Sequence, residues 1–262
     1  MLFLGELARG FQLQAKARQA AERFGLTSDV RWLQGERLLE DYWRGRWDAA
    51  FEGAEQLLVE AQGDTSDYAA TVSHLVRGWI RLARADLGGA LQDADAGLDH
   101  ARVAKEPQVL YPSLAFRARA LVAAGHEPEA DTDVSELLAM LAQQGVLPTT
   151  PDWSGDLAVI LQALGRGAEL LELLSDAKTP TRWFEAAAAV AARAFQRAAE
   201  LYDQIEAQPD AAYARLQAAK HLAGVGRRAE AKLQLSRALT FYRQVGASGY
   251  LQEAEALAAE SA

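Results

Sequence analysis

The side chains that most often do chemistry are thinly spread along this 262-residue chain. Its four histidines, His74, His100, His126 and His221, form no HExxH motif and never lie one helical turn apart. Because a zinc site needs three or four converging ligands, we predict no metal and expect these histidines at the surface or at helix ends. Cysteine is absent, which excludes disulfides, thiolate ligands and a cysteine nucleophile.

Carboxylates are grouped at three places and could in principle transfer protons, if burial separated their pKa values. They fall on expected helices or helix starts, where acidic groups interact well with the helix dipole, so we predict solvated faces and caps. The serines have no accompanying His/Asp pattern, and we predict no catalytic residue. The groups are Asp93 with Asp95, Asp131 with Asp133 and Glu136, and Asp152 with Asp156; the serines are Ser113, Ser135 and Ser154.

Aromatic residues are the stronger candidates, and their chemistry is binding. In an array of helical hairpins the first helices line the concave surface, and aromatic side chains near arginines are typical of peptide-binding surfaces. For each aromatic two interpretations stay open, groove lining or packing between helices, while Trp47 at a turn is expected in the core. The candidate groove residues are Trp32, Tyr42, Trp79, Arg119, Trp153 and Trp183.

A repeat of forty residues would position these candidates. Gly5, Gly45, Ala85, Gly125 and Gly165 are each forty residues apart, and a small or apolar residue follows each of them by five positions. The next matching turns, near 193 and 226, follow at shorter steps. A fixed period in this range is typical of helical-hairpin solenoids, which favours holding other molecules over chemistry.

Apolar residues at helical spacing, separated by glycine and proline, predict helices along the whole chain. The triad Thr27-Ser28-Asp29, repeated at 65–67, is expected to supply N-caps. No alternating strand-like run of useful length is present. The predicted helices are 4–24, 27–44, 48–62, 72–83, 90–104, 110–124, 128–144, 153–164, 167–176, 183–193, 195–206, 211–224, 228–245 and 249–260.

The fold class that follows is all-α, a right-handed superhelix of stacked antiparallel hairpins. We expect one helical-repeat domain over 1–262 with about six hairpins, opened by a half-repeat at 4–24. Pro148 and Pro151 suggest a modest hinge at 145–152, and the last helix, about 249–260, reads as a cap. Such stacking is expected to leave no enclosed cleft.

The turns resemble those of tetratricopeptide repeats. The sequence GRWDAA at 45–50 is similar to that family's Gly-x-aromatic-x-x-Ala turn, and GHEPEA at 125–130 and GRRAEA at 226–231 keep its glycine and alanine. Glycine permits the tight turn and alanine lets the helices touch. The resemblance covers nearly the whole chain, and it implies an all-α solenoid that binds proteins.

The C-terminal third, with blocks at 195–202, 212–216, 237–247 and 250–257, resembles the tail of large bacterial signalling proteins. Those proteins join an adenylate-cyclase-like or LuxR-type DNA-binding domain to a P-loop ATPase and a tetratricopeptide-like tail. This chain has no Gly-x-x-x-x-Gly-Lys-Ser/Thr loop, so no ATPase chemistry can be carried onto its residues. Because it opens inside a repeat, we expect a fragment, a split gene product or a start site downstream of the true one.

Net charge and composition limit the classes of partner that we expect for this chain. The net charge is −9, with 27 basic and 36 acidic residues, which argues against direct nucleic-acid binding. No apolar stretch is long enough to span a membrane, so we expect a cytoplasmic protein. The rarity of lysine and the absence of asparagine are typical of a GC-rich bacterial genome.

Three functions remain as expectations. The first is a protein–protein interaction scaffold without a cofactor, whose partner is a protein or peptide, including an ATPase or effector domain of the same polypeptide. The second is a sensor that closes on a peptide or small effector, which requires a concave pocket with convergent polar groups. The third, an enzyme, would require ionisable residues gathered from different repeats with perturbed pKa values.

Overall fold

The structure, a computed structural model, describes residues 5–61, 68–144, 152–175, 177 and 179–260. This part of the chain is all-α: it contains fourteen helices and no strand. The helices are α1 Leu7–Phe24, α2 Thr27–Trp43, α3 Trp47–Glu60, α4 Tyr68–Ala83, α5 Leu87–Ala104, α6 Pro107–Ala123, α7 Glu127–Gln144, α8 Asp152–Ala163, α9 Gly167–Ser175, α10 Arg182–Ala191, α11 Phe195–Ile205, α12 Gln208–Gly224, α13 Arg228–Val245 and α14 Ser248–Glu260.

The seven predicted turn positions all have a left-handed backbone, with φ between 57° at Arg193 and 82° at Gly125. Glycine reaches this region without a steric penalty, and Ala85 and Arg193 show that the turn geometry recurs even where glycine is missing. At Gly45 a second constraint applies, because an added Cβ would lie 3.1 Å from Cε2 of Phe241. Six of the seven positions lie between the two helices of a hairpin, and Gly5 precedes α1, so the repeat in the sequence is mainly a repeat of these turns.

The helices form two layers. Each helix packs on the next in sequence, and the even-numbered helices also pack on one another from α2 through α4, α6 and α8 to α10. Twelve of the sixteen residues of α4 are buried, against six of the eighteen in α5. The first helix of each hairpin thus forms the inner layer, and the second helix faces outward.

The two ends of the chain meet, which the open stack expected from the sequence does not provide. Helix α2 contacts α12, and α4 contacts α14, although nine helices of the described residues lie between the members of each pair along the chain. The inner faces therefore enclose an interior, so the expectation of no enclosed cleft is wrong. The right-handed superhelical sense stays a prediction.

Two smaller predictions concern element ends. Helix α2 begins at Thr27 with Leu26 as its N-cap and no side-chain capping bond, so the predicted cap from the 27–29 triad is wrong. The second triad, at 65–67, and hinge residues 145–151 lie outside the described residues. Helix α14 has the amphipathic pattern predicted for it, since Ala254 is buried while Gln252 and Glu255 are exposed, and its role as a terminal cap stays a prediction.

Candidate functional site

Contacts between distant helices close the interior. The Nη2 atom of Arg84, at the end of α4, donates to Oδ1 of Asp48 at 2.6 Å and to the carbonyl oxygen of Val245 at 3.3 Å. The hydroxyl of Ser248 donates to the carbonyl oxygen of Arg84 at 2.9 Å. These bonds tie the end of the first hairpins to the turn between α13 and α14.

Contacts between aromatic rings on distant helices also help to close the interior. The rings of Trp43 on α2 and Trp183 on α10 lie 5.5 Å apart, and those of Trp47 on α3 and Phe241 on α13 lie 5.8 Å apart in an edge-to-face arrangement. Such pairs contribute about 0.5–1.5 kcal/mol beyond the burial of their surface. The end-to-end contact is therefore a packed interface as well as a set of hydrogen bonds.

Inside this closure Arg119 of α6 joins three other helices. Its Nη1 donates to Oδ1 of Asp156 on α8 at 2.5 Å, and its Nη2 donates to the hydroxyl of Tyr250 on α14 at 2.8 Å. The guanidinium lies 5.0 Å from the ring centroid of Tyr213 on α12. The other oxygen of Asp156 accepts from Nε1 of Trp79 at 2.9 Å. A single cation thus organises side chains from α4, α6, α8, α12 and α14.

A second carboxylate, Asp210 near the start of α12, faces the same interior. Burial, and to a smaller extent the nearby Asp156, raise its pKa to about 7, although Arg119 and a hydrogen bond from Trp43 oppose this rise. An added Cβ at Gly155 would lie 3.4 Å from Oδ1 of Asp210, so the absent side chain leaves room for this carboxyl. Two carboxylates therefore share one guanidinium.

Tyrosines complete the surroundings. Burial is the main cause that raises the pKa values of Tyr42, Tyr202 and Tyr242 well above the ordinary range, so these phenols stay neutral at physiological pH. Among the described residues the buried hydroxyl of Tyr242 has no hydrogen-bond partner. A buried hydroxyl without a hydrogen-bond partner destabilises the fold, unless a water molecule or a ligand bonds to it.

These groups surround a void of about 20 Å³, which suits one water molecule or a chemical group of similar size. Its lining combines the charged Arg119 and Asp210 with six aromatic residues and a few small or aliphatic ones. The void is lined by Tyr42, Trp47, Arg119, Gly155, Val159, Val190, Tyr202, Pro209, Asp210, Tyr213, Tyr242 and Tyr250.

A larger cavity of about 440 Å³ adjoins the void. Its volume lies in the range of small-molecule sites, and its lining is mainly apolar with a few polar groups, as such sites usually are. Four residues line both spaces: Arg119, Val159, Tyr213 and Tyr250. The remaining lining is Leu82, Ala85, Leu87, Val122, Ala123, Ile160, Gln162, Ala163, Gln217, Lys220, Gly249 and Glu253.

An ion pair lies at the more exposed part of this cavity. Lys220 on α12 is bonded through its Nζ to Oε1 of Glu253 on α14, and the two side chains are 39% and 38% exposed. The charged groups of the lining therefore lie at two places, the Lys220–Glu253 pair near solvent and Arg119 inside.

The structure separates the six candidate groove residues. Tyr42 and Arg119 line the void, and Trp79 binds Asp156 directly behind it. Trp153 and Trp183 are 0% and 2% exposed, so in this structure they pack between helices and offer no surface to a partner. Trp32, which is 40% exposed, lies away from both spaces, with its ring centroid 5.7 Å from that of Tyr68.

Sequence reasoning missed most of the cluster. It did not single out Asp210, and it did not use the tyrosines at 202, 213, 242 and 250. One signal was present, because these four are more than half of the seven tyrosines and lie within the last quarter of the chain. Nothing in the sequence showed that they meet helices from the first half of the molecule.

The acidic groups were expected on solvated faces and caps, and for one member of each group this is wrong. Asp93, Asp133 and Asp156 are 1%, 3% and 5% exposed. Asp133 accepts from Nη1 of Arg117 at 2.6 Å, and burial, opposed in part by this arginine, raises its pKa.

Asp93 holds the densest ion-pair network of the described residues. It accepts from Nη2 of Arg77 at 2.6 Å and from Nη1 of Arg81 at 2.8 Å, and its Oδ1 lies 2.8 Å from Nδ1 of His74. Burial alone would raise the pKa of Asp93, but these three partners together lower it below its ordinary value. His74 is therefore part of a buried network, which corrects its expected surface position.

The spacing of these pairs explains them. Arg77 and Asp93 are sixteen residues apart, as are Arg117 and Asp133, and the second pair follows the first by forty residues. Both join the inner and outer helices of one hairpin. They are repeated structural contacts, whereas the Arg119 cluster occurs once.

Comparison of the chain with protein-family models and with curated proteins finds no match. Within the described residues no three histidine or acidic side chains are grouped so that they could hold a metal ion. No helix of that part of the chain combines the length and apolar character that a membrane span requires.

Proposed function

We propose that this protein is a regulatory helical-repeat module that binds a small molecule in the cavity beside Arg119. One observation carries the proposal: a cavity of about 440 Å³ with an apolar wall ends at polar groups that converge from distant helices. A scaffold for extended peptides would instead present a broad, shallow inner surface.

Binding suits the lining better than catalysis. The residues that line the void and the cavity include no serine, cysteine or histidine. Arg119 is already engaged by Asp156 and Tyr250, and the perturbed carboxyl of Asp210 has no nucleophile beside it. The arrangement can recognise a ligand, but its lining holds no Ser–His or Cys–His pair of the kind that covalent catalysis often uses.

The position of the cavity gives a route to regulation. Its lining comes from α4, α6 and α8 on one side and from α12 and α14 on the other. A ligand that touches both sides binds the closed arrangement more tightly than an opened one, and so shifts the population toward closure. On the basis of the resemblance to signalling tails, the domain that we propose to respond to this closure is an ATPase or effector domain of the same polypeptide.

The test is a fragment library screened by ligand-observed NMR and by shifts of the melting temperature. Ala163 is exposed and lines the cavity, so Ala163→Trp fills the site without disturbing buried packing. Ala168→Trp, at an exposed position of α9 that does not line the cavity, is the matched control. We expect hits that bind the wild type and the control and are lost in Ala163→Trp; hits insensitive to Ala163→Trp contradict the proposal.

A second candidate, protein–protein interaction, is favoured by the apolar residues of α1 and the start of α2. Leu13, Phe24, Leu26 and Trp32 are 49%, 70%, 48% and 40% exposed. Exposed apolar groups concentrated in one region are typical of interaction surfaces. Titration with peptide pools tests it: Phe24→Ser should weaken binding while Leu233→Ser, an exposed apolar position on α13, should not.

A further inference from the structure

The charges around the void are unbalanced. Asp156 and Asp210 provide two carboxyl groups, and Arg119 is the single cation among the residues that line the void. Other groups that face Asp210 are the neutral phenols of Tyr42 and Tyr202 and the indole N–H of Trp43. A buried carboxylate without its own counter-charge is costly, so the site has room for one more positive charge.

The remaining walls suit a cation as well. Six aromatic residues line the void, and the faces of aromatic rings attract positive charge. The hydroxyl of Tyr242 is buried, lines the void and has no partner among the described residues, so its oxygen can accept a hydrogen bond. A ligand that donates hydrogen bonds would satisfy both this oxygen and the carboxylate.

Building on the proposed function, we propose that the void receives the ammonium group of a primary amine whose apolar chain extends into the larger cavity. A primary ammonium is close to water in size and carries three N–H donors. Those donors match the carboxylate of Asp210 and the hydroxyl oxygen of Tyr242. The apolar wall beyond Tyr213 and Tyr250 then covers the chain of the ligand.

Size and charge together make the inference specific. A void of about 20 Å³ has no space for a trimethylated nitrogen, so a quaternary ammonium is excluded although its charge is right. A hydroxyl has the right size and leaves the carboxylate without a counter-charge. A carboxylate ligand would add a third negative group beside Asp156 and Asp210 and is repelled.

The pH dependence follows from the same carboxyl. The amine stays protonated below about pH 10, whereas Asp210 gains its charge as the pH rises through about 7. Binding of the ammonium therefore strengthens from pH 6 to pH 8, by about tenfold from the ionised fraction of one carboxyl. The affinity for an anionic ligand held by Arg119 is expected to change with pH in the opposite direction.

The experiment uses four ligands with the same six-carbon chain: 1-aminohexane, 1-hexanol, hexanoate and trimethylhexylammonium. Isothermal titration calorimetry of the full chain at pH 8 should show binding of 1-aminohexane at least about tenfold tighter than that of the other three, since one lost charge pair costs 1.4 kcal/mol or more. If the alcohol or the acid binds as tightly as the amine or more tightly, the inference of an amine ligand is overturned. The proposal that the cavity binds a small molecule is then unaffected. Binding of none overturns the amine as well, and the fragment screen with Ala163→Trp then decides the proposed function separately.

Variants locate the contact. Asp210→Asn should weaken amine binding at pH 8 by about tenfold or more and remove its pH dependence, and Tyr242→Phe should weaken it less. Asp203→Asn, at a position 49% exposed on α11, is the matched control and should bind as the wild type does. Because Asp210→Asn removes an uncompensated buried charge, its apo form should melt no lower than the wild type, so lost binding cannot be attributed to unfolding. Unchanged amine affinity in Asp210→Asn overturns the inference.

Discussion

Arg117 and Arg119 lie two residues apart on α6, and their side chains make contacts on opposite sides of this helix. Arg117 faces outward, where its Nε donates to Asp95 on α5 and its Nη1 to Asp133 on α7, both at 2.6 Å. Arg119 faces inward and binds Asp156 and Tyr250, the latter 131 residues further along the chain. One helix thus carries a local contact and a global one side by side.

The two sides differ in whether they repeat. Forty residues before Arg117 and Asp133 stand Arg77 and Asp93, which make the same kind of pair. Forty residues before Arg119 stands Trp79, so the interior cluster has no copy in the preceding hairpin. Repeated ion pairs hold each hairpin together, and the unrepeated cluster marks the place where the molecule departs from its own repeat.

The largest expected effect comes from Arg119→Met. The change leaves Asp156 and Asp210 without their shared cation in the interior, which should lower the free energy of unfolding by about 3–5 kcal/mol. Urea denaturation followed by circular dichroism measures it. Adding Asp156→Asn and Asp210→Asn should restore most of the loss, since the stranded charges are then gone.

Arg117→Met is the comparison within the same helix. Asp95, one of the two carboxylates that Arg117 binds, is 59% exposed and stays hydrated without its partner, so this variant should lose clearly less stability than Arg119→Met. Equal losses would mean that the inner and outer clusters play the same role.

Asp93→Asn should have the next largest effect, about 3 kcal/mol, because it removes the negative charge and one of the two acceptor oxygens that Arg77, Arg81 and His74 share. Asp95→Asn, whose side chain is 59% exposed, should cost less than about 1 kcal/mol in the same urea measurement. Since the pKa of Asp93 is lowered in the folded state, its contribution is present above the unfolded value, about 4, and is lost as the pH falls below it. A difference between variant and wild type that persists undiminished in strong acid would contradict this reading.

Asp210→Asn should show the opposite pH dependence. Its folded pKa is raised to about 7, so the stability it contributes is full below about pH 4 and is lost as the pH rises through 7. The free energy of unfolding of the variant, relative to that of the wild type, should therefore rise by about 2–3 kcal/mol between pH 5 and pH 7, at 1.36 kcal/mol per pH unit. Melting temperatures of both proteins at these two pH values measure the gain, and a constant difference would contradict it.

The smallest effect is expected at the exposed part of the cavity. Lys220→Gln breaks the pair with Glu253, and because both side chains are more than one third exposed, the loss should stay below about 1 kcal/mol. Lys232→Gln on the exposed face of α13 is the control. A loss as large as that of Asp93→Asn would place this pair with the structural contacts.

Local structure was largely predictable from the sequence. The predicted helices agree with the structure except at their ends, and the turns at Gly45, Ala85 and Arg193 fall where the period or its shorter steps placed them. These features depend on residues near one another in the chain, such as apolar spacing and the left-handed turn. The Thr27 cap failed because the helix starts one residue earlier in the turn than the triad suggested.

The site was predictable only in fragments. Tyr42 and Arg119 were chosen as groove residues and do line the void, although the same reasoning chose Trp153 and Trp183, which are packed in the core. An aromatic on a first helix faces inward in both cases. Whether it meets open space or a neighbouring helix depends on contacts from far along the chain.

The amino-acid order alone determined the fourteen helices of the described residues, the turns between them and the period that pairs Arg77 with Asp93 and Arg117 with Asp133. These contacts are made within single hairpins. The folded molecule alone decided that α12 and α14 return to α2 and α4. That return places Asp210 and Tyr250 beside Arg119 and encloses the cavity. These contacts join residues that are far apart in the chain, so they depend on the packing of all the helices between them and cannot be predicted from a short stretch of sequence.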